Sequence, residues 1–388
     1  MGNMEELNLP DKIMAEDPPV RPTRLEISLP QVAQNLHAIR QRVGQIKVMG
    51  VVKANAYGHG IVEVAKYLEK KSIDYLGVAI LEEGIALRKS GICSPILVFG
   101  SPIAEQIPYF LKYNLTITAP SVEKLNLINQ AAEQLNTKAK VHLKIDTGME
   151  RIGTHWYSSE QFLEASVGFP SLEVTGIYSH FANADVKSDS LNVLQIERFL
   201  EALSFYPKKG LPMPMRHIAN SGAILHFEES FLDMVRPGML LYGQYPSNEC
   251  EQSILVSPAM SWKTSVNYFK VVAAKSPVSY GATWQSDKPI RMGTIPVGYG
   301  DGFPLSFSNK AEVIIRGHKF QVAGKVCMDQ TMINIKDGSA YNGDEVVLLG
   351  DQNGESISVS DLANWGNTTP YEILATMNQR LPRVYINN

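Results

Sequence analysis

The chain has 388 residues, which at one to two hundred per domain implies two domains and excludes a peptide, a lone binding module or a fibrous repeat. Hydrophobic residues at 44% and charged residues at 19%, with 29 glycines and 22 prolines, describe a globular protein rather than a disordered or collagen-like one. A net charge of −3, from 36 Lys and Arg against 39 Asp and Glu, provides no global field for nucleic acid or an anionic membrane, so the expected ligand is small.

Three cysteines, Cys93, Cys250 and Cys327, are odd in number and widely spaced, which fits neither a disulfide framework nor a zinc knuckle and points to a reducing compartment. Residues 1–24 carry acids and prolines where a secretory signal has a basic start and an apolar core, and Glu6 stands where myristoylation after Gly2 needs Ser or Thr. No apolar run reaches the roughly 18 residues of a membrane span. A soluble, cytoplasmic protein with an N-terminal tail over residues 1–24 is expected.

From residue 25 to 250, short apolar runs alternate with helix-length amphipathic stretches. The runs are VMGVVKA, YLGVAI, PILVFG, LTITA, KVHLKID, LEVTGIYSH, MRHIAN and DMVRPG, separated by segments such as IVEVAKYLEKK, EEGIALRKSG and VEKLNLINQAAEQLN. Near-continuous apolar runs, each followed by a covering helix, are the pattern of parallel strands buried on both faces. Eight such units predict an α/β fold with a closed, eight-stranded parallel β/α barrel. Past the polar stretch QYPSNECEQ, residues 251–388 change character. SWKTSVNYFKVVAA, RMGTIPVGYG, AEVIIRGHKFQVAG, MINI and DEVVLLG are strand-like and punctuated by the turn signals RGH, KDG, YNGDE and DQNGE, which predicts a mostly β domain.

In a β/α barrel the chemistry gathers at the C-terminal ends of the strands. Lys53 ends the first run, Lys144 and Asp146 end the fifth with Arg151 just beyond, and His180 ends the sixth; Asn220 and Ser221 close the seventh, and Arg236 lies in the eighth. Barrel closure would bring these distant positions to one mouth. A lysine ending the apolar run VMGVV is partly desolvated, which lowers an amine pKa toward nucleophilic use and imine formation; the same position also suits a lysine that merely snorkels out of the mouth. Tyr57 with its glycines, NSG at 220–222 and RPG at 236–238 offer hydroxyls and open backbone N–H groups to an anion, though each glycine taken alone is an ordinary turn residue. Neither GxxxxGK[ST] nor HExxH occurs, so neither a nucleotide-type phosphate loop nor a metal site is expected. Tyr280 alone reads as a strand-end tyrosine, and His37, His142, His155, His226 and His318 read as structural or surface residues.

Together these segments resemble the alanine racemase family of fold-type III pyridoxal 5′-phosphate enzymes, from about residue 25 to the C-terminus. VVKANAYGHG resembles the cofactor-lysine motif, KIDTGMERIG the substrate-carboxylate segment, YSHFANAD the following strand end, and HIANSG and VRPGMLLYG the phosphate and pyridine contacts. VSYGATW, VGYGDGF, GKVCMDQ and PYEI resemble the second domain's contributions. The resemblance implies a head-to-tail homodimer in which one subunit's barrel is completed by the other's β domain. It implies Lys53 as the Schiff-base lysine and one proton-transfer base, opposed by Tyr280 of the second subunit. Cofactor binding would fall to Lys53, Tyr57, Arg151, His180, Asn220, Ser221, Arg236, Gly238, Met239 and Tyr371. Substrate contacts would fall to Arg151, Tyr299, Met328 and Asp329, with support from His217, Cys327 and a carboxylated Lys144. The implied activity is interconversion of L- and D-alanine, supplying D-alanine for peptidoglycan, with no nucleic acid, membrane or metal involved. A serine or broad-specificity racemase of the same fold is the nearest alternative. A decarboxylase would want an acid where Arg236 stands, and a non-catalytic cofactor carrier would lack the second domain.

Overall fold

The computed structural model describes residues 21–386 except Asn248 and Asp337, so most of the expected tail over residues 1–24 lies outside the described residues. Each of the eight apolar runs forms a strand: β1 (Lys47–Val51), β2 (Tyr75–Val78), β3 (Ile96–Val98), β4 (Thr116–Ala119), β5 (Ala139–Asp146), β6 (Leu172–Tyr178), β7 (Met215–His217) and β8 (Met234–Val235). They pair in the order β8-β1-β2-β3-β4-β5-β6-β7. Two backbone hydrogen bonds, Asp233 N to Arg216 O at 3.1 Å and Arg236 N to Ala219 O at 2.9 Å, join the two ends and bring the sheet to a barrel. A two-pronged Arg216–Asp233 pair, with both contacts at 2.8 Å, ties the same seam.

The runs are apolar throughout because both faces are covered: Val48, Met49, Leu76, Val78, Ile96, Leu97, Ile117 and Leu143 are all buried. The helices show the complementary pattern. Leu29–Val43 buries Leu29, Val32, Leu36, Ile39 and Val43 along one stripe, starts on Ser28, whose hydroxyl accepts the Gln31 N–H at 3.2 Å, and carries Pro30 in its first turn.

Inside the barrel, strand alternation sorts side chains into layers. Met49, Leu97, Tyr178 and Met234 pack into one apolar cluster with Tyr75, Phe99 and Met215. The register sets His142 opposite Gly176, and Tyr178 opposite both Lys144 and His217. Gly176 is required by close approach, since a Cβ there would lie 2.7 Å from the His142 ring. Two residues further along β7 and toward the end of β8, Met215 gives way to His217 and Met234 to Arg236, so the filling changes from apolar to polar toward the C-terminal mouth.

The chain divides into two compact units that are not contiguous in sequence. The barrel unit takes Glu26–Ser261, Ser358–Asn378 and the stretch beginning at Tyr385, and the second unit takes Trp262–Ile357, Gln379–Val384 and the stretch ending at Leu25. The helices Val359–Gly366 and Pro370–Ala375 therefore belong with the barrel. The second unit is mostly β, as expected. One sheet runs in the order His318–Gln321, Glu312–Ile315, Glu345–Gln352, Met260–Ser265, Arg24–Ser28, Arg383–Ile386, and a smaller antiparallel sheet joins Tyr268–Val272, Ile290–Ile295 and Thr331–Lys336. Arg24–Ser28 is not among the strands expected from sequence, although burial of Leu25 and Ile27 alternates along it. Among the described residues, no helix is long and apolar enough to cross a membrane.

Candidate active site

A cavity of about 440 Å³ is lined by Lys53, Tyr57, Lys144, Arg151, His180, Asn220, Ser221, Arg236, Gly238, Met239 and Tyr371, together with Val51, Ala79, Phe99, Gly100, Ile152 and Tyr178. Its lining belongs wholly to the barrel unit. The predicted convergence of strand-end residues is thus a physical cavity.

Lys53 follows β1 and is half-buried. Burial holds its amine below the ordinary lysine range, Arg151 pushes the same way, and Glu83 opposes both. An amine so placed is more readily neutral, hence a nucleophile and proton acceptor. The segment after it has an unusual backbone. Ala54, Asn55, Ala56 and Tyr57 all have φ between 51° and 55°, one turn of left-handed helix. For L-residues this conformation costs about 1–2 kcal/mol each, and of the four only Asn55 tolerates it readily; the left-handed Gly58 ends the turn.

Tyr57, Ser221, Gly238 and Tyr371 form one end of the cavity. The Ser221 hydroxyl accepts the N–H groups of Gly238 at 2.9 Å and Leu240 at 3.4 Å. A Cβ on Gly238 would lie 2.6 Å from the Tyr57 hydroxyl, so the phenol occupies space that any other residue would fill. The Tyr57 ring is held by Tyr242 and Tyr371, with ring centroids 5.1 and 6.4 Å away. Asn220 serves the backbone, accepting the Ala223 N–H at 3.0 Å. Hydroxyls and amides clustered around an open space suit a phosphate.

A buried arginine organises another wall. Arg236 donates from Nη1 to His217 Nδ1 at 2.9 Å, and from Nη2 to Ser179 O at 2.8 Å, Ile218 O at 3.0 Å and His180 Nδ1 at 3.2 Å. Guanidinium only donates, which fixes the imidazole tautomers. His217 accepts at Nδ1, carries its proton on Nε2, and donates it to His142 Nδ1 at 3.0 Å. His142 must then hold its own proton on Nε2, which has no hydrogen-bond partner. Burial and then Arg236 push His217 and His180 well below the histidine range and His142 down to about 3, so all three rings are neutral. His180, accepting at Nδ1, likewise keeps its proton on Nε2. Among the described residues, the hydrogen bonds of Arg236 all leave from Nη1 and Nη2 and none from Nε.

Tyr178 is the platform for this wall. It stacks on His217 at 4.8 Å and 3°, and its ring lies 5.3 Å from Lys144 Nζ and 5.5 Å from the Arg236 guanidinium carbon. Cations over an aromatic face are attracted by its quadrupole. Lys144 is buried, and burial lowers its amine to about 7, with Asp146 opposing and Arg236 and Arg151 adding to the fall. Asp146 shapes the turn that carries Arg151, accepting the N–H groups of Gly148, Met149 and Glu150 at one oxygen and that of Arg151 at the other.

Tyr280, Tyr299, Cys327, Met328 and Asp329 lie in the second unit. There the Tyr299 and Gly300 N–H groups bond to the carbonyls of Cys327 and Met328 at 3.0 and 2.9 Å, bringing VGYGDGF and GKVCMDQ together. Tyr280 is 71% exposed and Met328 53%. Cys327 Sγ lies 3.7 Å from the Ser279 hydroxyl, and Asp329 pairs with Arg380 at 2.8 Å. His142, Tyr178 and Glu83 were not among the expected site residues. His142 stands two positions before Lys144 on β5, and Tyr178 ends β6 two positions before His180, so alternation carried one step back would have found them. Glu83 has no such signal.

Family profiles for the alanine racemase N-terminal domain and C-terminal domain match residues 27–246 and 259–385. The chain is 42% identical over 370 residues to alanine racemase 2 of Caldanaerobacter subterraneus subsp. tengcongensis, covering 95% of both proteins. It is 39% identical over 374 residues to alanine racemase 2 of Bacillus subtilis, covering 94% of both. Among solved structures it is similar to alanine racemase of Clostridium difficile 630, with a TM-score of 0.90, 37% identity, and 95% and 96% of the two chains covered. It is also similar to alanine racemase of Bacillus anthracis solved with bound L-Ala-P, with a TM-score of 0.90, 33% identity, and 96% and 97% covered.

Proposed function

The chain belongs to the alanine racemase family, and from that membership we propose that it interconverts L-alanine and D-alanine in the cytoplasm with pyridoxal 5′-phosphate as cofactor, as a homodimer, supplying D-alanine for peptidoglycan. The observation that carries this reading is the convergence of Lys53, Arg151, Arg236, Ser221 and Tyr57 on one cavity.

The residues fit the cofactor. The hydroxyls of Tyr57, Ser221 and Tyr371 and the backbone at Gly238 line the cavity and would hold the phosphate, the missing Cβ of Gly238 leaving the Tyr57 hydroxyl its place. Arg236 Nε–H would face the pyridine nitrogen, and Lys53 Nζ, the depressed amine, would be the attachment point. When bound, pyridoxal phosphate acidifies the Cα–H of an attached amino acid by delocalising its electron pair.

Racemisation needs a proton removed on one face and returned on the other. Lys53 would serve one face as a neutral amine. Tyr280 of a second copy would serve the other, consistent with its exposure in a single chain. A phenol with pKa about 10 is a poor base at neutral pH unless its anion is favoured. The proton that the tautomer chain leaves on His180 Nε2 is a donor for such a phenolate. Arg236, donor-only and buried, would not yield a proton to the pyridine nitrogen, which keeps the electron sink weak and disfavours protonation at the wrong carbon. Arg151 would meet the substrate carboxylate. Lys144, at a pKa of about 7, is largely neutral above that pH, and its nitrogen can bond to the carbon of carbon dioxide with loss of a proton. The resulting carbamate anion would turn a like-charge clash with Arg151 into attraction. Tyr299, Met328 and Asp329, exposed like Tyr280, would contribute to the substrate pocket of the second copy. Asn220 and Met239 line the barrel cavity, His217 would support it through Arg236, and Cys327 would support the Met328 loop.

The deciding experiment is turnover of L-alanine against L-serine by purified holoenzyme, followed by circular dichroism. Faster loss of alanine signal to the racemic end point is expected. Faster turnover of serine would favour the broad-specificity alternative, and no turnover of either would sink the reading. Borohydride reduction should attach the cofactor to Lys53; label on another lysine removes that assignment.

A further inference from the structure

Four left-handed residues in a row, three of them Ala or Tyr, do not hold themselves in place. Some of the restraint is local: Ala56 N bonds to Val52 O at 2.8 Å, Gly58 N to Ala54 O at 3.1 Å, and Ile61 N to Asn55 Oδ1 at 2.9 Å. One restraint comes from elsewhere. The first amide after the lysine, Ala54 N–H, donates to Glu83 Oε1 at 2.6 Å, while Oε2 accepts the Ala79 N–H at 2.8 Å. Glu83 lies in the helix Leu81–Lys89, which follows β2, so its carboxylate ties the segment leaving β1 to the segment leaving β2. It is also the negative charge felt by the Lys53 amine, where Arg151 and His180 supply a cation and a neutral ring.

We propose that Glu83 is a positioning residue for Lys53, its carboxylate pinning the left-handed turn through Ala54 N–H and so fixing the direction from which the lysine enters the cavity. This builds on the role proposed for Lys53, but the tether itself does not depend on that role. A helix-capping function would account for the bond to Ala79, four residues away, and not for the bond to Ala54, 29 residues away.

The test compares wild-type holoenzyme with Glu83→Ala and Glu83→Gln by amide hydrogen exchange, by the pH dependence of the bound cofactor's absorbance, and by kcat and KM across pH. In Glu83→Ala, Ala54 exchange should quicken at least about tenfold, since a bond to a charged acceptor is lost. Its kcat should fall about tenfold or more with KM little changed. Glu83→Gln keeps one carbonyl acceptor for the two N–H groups, so Ala54 exchange should fall between wild type and Glu83→Ala. Losing the anion nevertheless makes the lysine easier to deprotonate, so the acid limb of kcat and the absorbance midpoint should both move down by roughly half to one pH unit. Unchanged Ala54 exchange in Glu83→Ala, or unmoved limb and midpoint in Glu83→Gln, overturns the proposal. Should Glu83→Ala fail to fold, Glu83→Gln decides alone. A wild-type protein without racemase activity would defeat the proposed function, while exchange and absorbance would still decide the role of Glu83.

Discussion

Replacing Gly238 with Ala isolates the phosphate end of the cavity. The backbone there has φ −109°, outside the left-handed region, so the cost of the new methyl is collision alone. An ideal Cβ would lie 2.6 Å from the Tyr57 hydroxyl oxygen and 3.2 Å from its ring carbon Cζ, whereas a relaxed contact needs about 3.2 Å or more, so the hydroxyl must retreat by roughly 0.6 Å. Tyr57 is buried against Tyr242 and Tyr371 and has little room to do so. Overpacking of this kind costs about 1–3 kcal/mol of fold stability, and a misplaced donor to a charged phosphate costs about 1.5–3 kcal/mol of binding, which predicts cofactor binding weaker by about 10- to 150-fold. Equilibrium titration of cofactor-free protein by absorbance measures this. The double variant Gly238→Ala with Tyr57→Phe removes the colliding atom, so its loss should equal that of Tyr57→Phe alone rather than the sum. Strict additivity, or a Gly238→Ala affinity within twofold of wild type, would refute the reasoning.

The tautomer chain makes a spectroscopic prediction: nitrogen-15 shifts should show Nδ1 unprotonated and Nε2 protonated in both His217 and His142, with neither ring charging between pH 5 and 9; a protonated Nδ1 on His217 would break the chain. For Lys144, the folded-state amine at about 7 lies below its unfolded value near 10.5, so an uncarboxylated protein binds fewer protons when folded between these pH values. In carbon dioxide-free buffer its stability should therefore rise with pH across that window, by up to about 1.4 kcal/mol per unit, and Lys144→Met should flatten the slope in denaturant titrations. Tyr280→Phe should slow the two directions of proton exchange at Cα unequally, measured in heavy water; equal retention of both would take Tyr280 out of the mechanism. In the second unit, Asp301 is buried, paired with Arg21 at 2.5 Å and with Arg380 at 3.4 Å. Both arginines are partly exposed and can be rehydrated, so Asp301→Ala should cost about 1–3 kcal/mol in thermal or denaturant unfolding, and an unchanged stability would contradict the pairing.

Strand identity was legible because a barrel strand buried on both faces must be apolar along its length. All eight runs could therefore be read, and polar residues at or near the ends of several of them named positions in the cavity: Lys53, Lys144, His180 and Arg236. The motifs around them carried the family. What the linear pattern did not show depended on partners far along the chain. Arg24–Ser28 alternates like any amphipathic strand, but its neighbours in the sheet are Met260–Ser265 and Arg383–Ile386. Tyr371 sits in the C-terminal portion of the sequence yet belongs to the barrel, because the helices Val359–Gly366 and Pro370–Ala375 return there. The left-handed turn after Lys53 uses residues whose local preference opposes it, so its local hydrogen bonds are joined by restraints from outside such as Glu83. The sequence by itself determined which chemical groups the barrel brings to its mouth, since burial dictates strand composition. Only the tertiary structure decided their directions, protonation and charge: those depend on desolvation and on hydrogen-bond partners such as His142, which no local pattern encodes.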